Sequence, residues 1–198
     1  MRFESSKHIF AYWRRLRAGA TAPERNAIDP VALGRHLADV FLLERDAEGA
    51  FRFRLAGSSL CVVFGQELRG REFLSVLTQA AADDGGEILL TATEDQFPVV
   101  AGVSVLMADR RSFDAELLVL PLLQNGRAGV MLFGSLAYKR QDRFALGTGA
   151  GLEILSFRVI GERDTRHLHP PTAGVVIDGH KGERRGHLVV FNGGSPGF

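Results

Sequence analysis

The chain has 198 residues, 45% of them hydrophobic and 24% charged, with a formal net charge of +1 at pH 7. That length suits one substantial domain or two small ones, and the charge balance gives no reason to expect nucleic acid or an anionic membrane as partner. The single cysteine excludes an intramolecular disulfide and fits a reducing compartment. No apolar run follows Met1 to His8, and none reaches the roughly 18 to 20 residues of a membrane span, so the sequence reads as cytoplasmic.

Ile9, Tyr12, Trp13 and Leu16 fall at i, i+3, i+4 and i+7, with Arg14, Arg15 and Arg17 beside them. This predicts an amphipathic helix of about four turns ending near Gly19. Asp29-Pro30 has the form of a helix start, with Asp as N-cap and Pro at the first helical position, and the helix is expected to run to about Leu37. Val40 to Arg45 and Phe51 to Leu55 read as strands joined by the hairpin loop Asp46 to Gly49. In the second of these, Phe51, Phe53 and Leu55 alternate with Arg52 and Arg54, which places the three apolar residues on one face.

Gly57 breaks that alternation. Ser58 or Ser59 then caps a short apolar helix that ends at Gly65, and Gln66 to Glu72 is a polar connector. A longer helix is expected from about Asp83 to Asp95, weakened by Gly85-Gly86 and stopped by Pro98. Three long strands follow, at Val99 to Met107, Phe113 to Leu123 and Ala128 to Tyr138. Asn125-Gly126 joins the last two and is the strongest hairpin signal in the chain. Leu117 to Leu123 and Val130 to Phe133 are nearly continuous apolar runs, so both faces of the sheet must be covered. The Trp13 helix or a second subunit is the expected cover for one of them.

Gly147 to Gly151 reads as a flexible linker, and Leu152 to Ile160 as one more strand or a short amphipathic segment. From Gly161 onward the chain reads as an extended tail in which Leu188 to Phe191 is the apolar stretch. The elements close into an α+β fold, a five-stranded antiparallel sheet with helices on one face around a cavity. The expected organisation is an N-terminal helical cap over 1–38, a core over 39–140, a linker and terminal segment over 141–160 and a flexible tail over 161–198.

Particular stretches add a resemblance. Tyr12 to Arg17, Pro23-Glu24-Arg25, Ile28-Asp29-Pro30, Phe41 to Glu44, Phe51 to Gly57 and Phe64 to Gly70, taken as a set, resemble a bacterial PAS-domain family found mostly in alphaproteobacteria. A looser match continues through Leu117 to Pro121 and Leu152-Glu153. The resemblance implies a PAS-like core and a role in signalling as a sensor or docking module, often dimeric, with no chemistry on a substrate. It carries over no cofactor motif.

Fourteen Phe stand against two Tyr and one Trp, and rings without a polar handle suit a core or a cavity wall. The candidate ligand-cavity residues are Phe53, Leu55, Cys61, Phe64, Phe73, Leu89, Val103, Leu117 and Phe133. Each also has an ordinary core role. Cys61 lacks the surroundings of a flavin-adduct cysteine and reads as a buried, inert thiol. Phe73 to Gln96 contains no histidine that would ligate haem, and His36 reads as a partly exposed helix residue. His167, His169, His180 and His187 match no zinc spacing. No haem, flavin or metal motif is found, and the cofactor stays unnamed.

Ile9, Tyr12, Trp13 and Leu16 are the interaction candidates, burying either on their own sheet or on a dimer mate. Arg14, Arg15 and Arg17 read as a solvated face. The expected function is a sensory module that binds a small apolar ligand or a protein partner and shifts the packing of its cap helix or its dimer. An interaction protein without ligand is one alternative. A small pocket enzyme is another, using Asp114 and Glu116, which share one strand face where Arg52 and Arg54 would neutralise them.

Overall fold

The computed structural model describes residues 1–139, 149–161, 175–177, 180–185 and 188–191, with side chains for 1–139 and 151–161. Helix α1 (Glu4–Arg17) ends where Ala18 turns into the left-handed region, with Arg14, Arg15 and Arg17 in its last turn, where cations offset the helix dipole. Helix α2 (Pro30–Leu33) is capped by the Asp29 carboxylate, which accepts from the Val31 N–H at 2.9 Å. It is shorter than expected: Gly34, at φ +51°, ends it, and a 3₁₀ turn completes the segment to Asp39.

Strands β1 (Val40–Arg45) and β2 (Phe51–Ala56) form the first hairpin. Helix α3 (Ser58–Phe64) follows directly. Its N-cap is Gly57 rather than either serine, and no side chain caps it. A side chain at Gly57 would collide with the main-chain carbonyl of Ala38, so glycine is set there by a close approach of backbones. Helix α4 (Ala82–Thr93) precedes the meander β3 (Val99–Met107), β4 (Ser112–Gln124) and β5 (Arg127–Tyr138). Asn125 and Gly126, at φ +52° and +75°, make the tight turn between β4 and β5, as a type I′ hairpin requires.

The sheet has six strands rather than five, in the order β2-β1-β5-β4-β3-β6, because Gly149–Val159 forms β6 against β3. The expected linker is therefore partly strand. Its glycines allow a close approach: the Thr78 N–H donates to the Leu152 carbonyl at 2.9 Å, and a Cβ on Gly151 would sit 3.3 Å from the Thr78 methyl. The expected tail also contains strands, β7 (Val175–Ile177), β8 (His180–Arg185) and β9 (Leu188–Phe191), in a separate three-stranded sheet. The apolar stretch Leu188 to Phe191 supplies β9. Of the tail histidines, His167, His169 and His187 lie outside the described residues, as does the side chain of His180.

Helices occupy both faces of the sheet, with the N-terminal cap helix on the face opposite α3 and α4, as the apolar strands and the Trp13 stripe led one to expect. On the inner face, α3 and α4 enclose a cluster that includes Phe41, Phe53, Phe64, Phe73, Leu89, Val103 and Leu117. On the outer face, α1 packs Ile9, Tyr12 and Trp13 against Leu118, Leu120, Leu122 and Phe133. Successive residues of β4 alternate between the two clusters, with Leu117 inward and Leu118 outward. This is the arrangement that its nearly all-apolar sequence requires.

Candidate functional site

The inner cluster is built around three rings. Phe41 of β1, Phe53 of β2 and Phe73, just after the connector, have centroids 5.7 Å, 5.9 Å and 6.0 Å apart in their three pairings, within the range of favourable aromatic contact. Phe64 of α3, Leu89 of α4, Val103 of β3 and Leu117 of β4 belong to the same cluster. Six of the nine cavity candidates are thus gathered in one place, and Cys61 packs partly buried at its edge. The Cys61 thiol is not sealed in the core, since it donates to the Glu67 carboxylate at 3.7 Å.

Two candidates lie elsewhere. Leu42 pairs with Leu55 and Leu43 with Phe53, so Arg54 is an extra residue in β2. This bulge reverses the alternation. Leu55 follows Arg54 to the outer face and is 42% exposed. Phe133 is fully buried but pairs with Leu42 and Leu120, which face α1, and it belongs to the outer cluster.

Phe41 is the ring that the sequence reading missed. The only signal for it is Gly134, opposite Phe41 on β5, where a side chain would collide with the Phe41 ring and the Leu118 carbonyl. A glycine inside an otherwise apolar strand marks such an approach.

The interaction candidates on α1 are occupied by their own sheet. Trp13 is 1% exposed, and its indole N–H donates to the Pro121 carbonyl at 2.8 Å. The Tyr12 hydroxyl accepts from the Asp29 N–H at 2.8 Å, tying α1 to the start of α2. Leu16 is half-buried beside them. Arg15 and Arg17 lie over the Tyr12 and Trp13 rings at 5.7 Å and 5.6 Å, so two of the three arginines cover aromatic surface. His36 touches the His8 ring, with centroids 4.7 Å apart.

Two hydroxyls weaken this interface. Ser6 belongs to the buried stripe of α1, and Ser135 lies on β5 between Val40 and Leu118, both outer-cluster residues. Both are fully buried, and neither hydroxyl has a hydrogen-bond partner among the described residues.

The acids of the enzyme alternative do other work. Glu116 is 7% exposed and accepts from the Arg2 N–H at 2.7 Å, while Asp114 pairs with the Arg2 guanidinium at 2.9 Å. They hold the segment leading into α1 on the outer face and do not line the inner cluster. Arg52 and Arg54 do not neutralise them, being paired with Asp46 at 2.7 Å and Glu44 at 3.0 Å. The Arg52 guanidinium holds the Asp46 carboxyl below its ordinary value. Among the described residues no group of three or more His, Cys, Asp or Glu is placed to hold a metal ion.

A sheet flanked by short helices after its first hairpin, with a helical cap on its far face, agrees with the family comparison. A family model described as a PAS domain matches residues 1–137. The chain belongs to the PAS-domain family. No curated protein matches it. PAS domains in general are sensory or interaction modules rather than catalysts, and membership points to a sensory or interaction module here. No helix among the described residues of this PAS domain is long and apolar enough to cross a membrane.

Proposed function

We propose that this PAS domain acts as a signalling module in which the inner cluster responds to a small apolar ligand and α1 passes the response to a protein partner or a second copy. Phe53, Phe64, Phe73, Leu89, Val103 and Leu117 form the ligand-facing wall, with Cys61 at its edge. The observation that carries the reading is the double-sided packing of β4. Leu117 faces the ligand side, Leu118 faces α1, and Pro121 on the same strand holds Trp13. A ligand that prefers one packing of the inner face changes the population of the α1 packing through that shared strand. The orphaned hydroxyls of Ser6 and Ser135 keep the α1 interface weaker than its apolar area implies. Self-association through Ile9, Tyr12 and Trp13 requires α1 to leave the sheet first.

Trp13 is the only tryptophan in the chain, so its emission reports α1 directly. Native mass spectrometry of freshly purified protein is expected to show a bound small molecule, and stripping that molecule is expected to shift the Trp13 emission. A homogeneous ligand-free mass would overturn the ligand half of the proposal and favour a docking module without ligand. The mutual contact of the Phe41, Phe53 and Phe73 rings supports that second reading. An emission unmoved by stripping would overturn the α1 half.

A further inference from the structure

The outer face beside β2 is not covered by α1 and carries two adjoining grooves. One, of about 400 Å³, is walled by Arg45, Arg52, Arg54 and Arg69 with Glu44 and Asp46. The other, of about 260 Å³, runs past Arg25, Asn26 and Gln124 with the buried Met131 among its walls. Arg54 lines both. Arg52 and Arg54 are each paired with a single acid, whereas Arg25 and Arg69 have no ion-pair partner among the described residues. Gln124 turns a buried amide oxygen without a hydrogen-bond partner among the described residues. Leu55, put outside by the bulge, flanks Arg54 as an exposed apolar residue.

We infer that this double groove binds an extended acidic segment of a partner protein, whose carboxylates engage Arg54, Arg69 and Arg25 and whose apolar residues meet the exposed Leu55. The inference rests on the reading of the chain as an interaction module and names the chemistry of the partner. Two grooves joined at one arginine suit a chain rather than a single anion. Arginine is the side chain best matched to carboxylates in a partly desolvated site. A nucleic acid fits less well. Glu24, Glu44 and Asp46 are interleaved with the arginines and would repel a continuous phosphate backbone. The aromatic residue of the larger groove, Phe53, is buried and offers no stacking surface.

The test is fluorescence anisotropy with a fluorescein-labelled decapeptide of alternating glutamate and leucine, against the full chain at low and high salt. Wild type is expected to bind, more weakly as salt rises. The double variant Arg54→Gln/Arg69→Gln is expected to bind about tenfold more weakly, as the loss of two exposed charge contacts implies, with its melting temperature unchanged. Arg14→Gln, on the exposed face of α1, is the control and is expected to match wild type. Four results would overturn the inference: no binding by wild type, equal loss in the control, binding of a thymidine decamer as tight as that of the peptide, or a salt-sensitive dimer of the chain itself that the double variant abolishes. The proposed signalling role is read separately, by the bound mass and the Trp13 emission, so either idea can fail without the other.

Discussion

The indole N–H of Trp13 and the carbonyl of Pro121 are joined by a 2.8 Å hydrogen bond in a buried setting. The partnership explains a proline inside a long strand. β3 begins at Val99, opposite Val119 of β4, so β4 runs on past it and at Pro121 the missing N–H costs no ladder bond on that side. The carbonyl freed there accepts from the cap helix. Two residues on, the Leu123 N–H donates to the Pro23 carbonyl at 2.9 Å, so the cap segment pairs with the part of β4 that β3 does not reach.

Trp13→Ala is therefore expected to cost about 3–5 kcal/mol, the range for a buried large aromatic. Trp13→Phe keeps most of the apolar contact but orphans the Pro121 carbonyl, and is expected to cost about 1–3 kcal/mol. Urea denaturation followed by circular dichroism measures both. An alanine variant within 1 kcal/mol of wild type would mean that α1 is not integral to the fold.

Ser135→Ala and Ser6→Ala each remove a buried hydroxyl that has no hydrogen-bond partner among the described residues. Each is expected to raise stability by about 1 kcal/mol, since the desolvation cost disappears while the packing stays. If α1 release carries the signal, the same variants are expected to damp the Trp13 response. Melting curves and emission on stripping are the two measurements, and lower stability in both variants would show that the hydroxyls have partners in solution.

Phe53 and Leu55 are two residues apart, yet expected to behave oppositely. Phe53→Ala opens the ring cluster and is expected to cost about 3–5 kcal/mol. Leu55→Gln, at an exposed site, is expected to stay within about 0.5 kcal/mol. Comparable losses in thermal unfolding would place the bulge elsewhere.

Two glycines give a matched pair. Gly134→Ala drives a methyl into the Phe41 ring and the Leu118 carbonyl, and is expected to cost about 1–3 kcal/mol as overpacking. Gly86, inside α4, has nothing within 4 Å of an added Cβ, so Gly86→Ala is expected to add about 0.5–1 kcal/mol through helix propensity. Chemical denaturation of the two variants checks the contrast in sign.

Asp46 gives a pH dependence. Its carboxyl, held by the Arg52 guanidinium and by the Ala50 and Glu48 N–H groups, titrates below its ordinary value of 3.8. A carboxyl depressed in the folded state adds stability that is complete above the unfolded value and is lost as pH falls through the folded one. Stability is thus expected to decline slightly as pH falls below about 3.8, and Asp46→Asn is expected to lack that part of the decline. A variant deficit that is equal at neutral and at acid pH would exclude the linkage.

Much of this was legible in the sequence because it is local. The 3.6-residue stripe through Ile9, Tyr12, Trp13 and Leu16 specifies α1, and Asn125-Gly126 specifies its hairpin, from the backbone preferences of neighbouring residues alone. The continuous apolar runs of β4 and β5 require cover on both faces whatever the topology. Only the tertiary structure decided which side chain faces which cover. One extra residue at Arg54 sends Leu55 outward, and the pairing with Leu42 and Leu120 sends Phe133 to α1. An all-apolar strand carries no alternation from which to read its faces. Register and cover are settled by contacts between residues far apart in the chain, and these also made a strand of Leu152 to Val159, extended it back to Gly149 in the expected linker, and set Phe41 over Gly134.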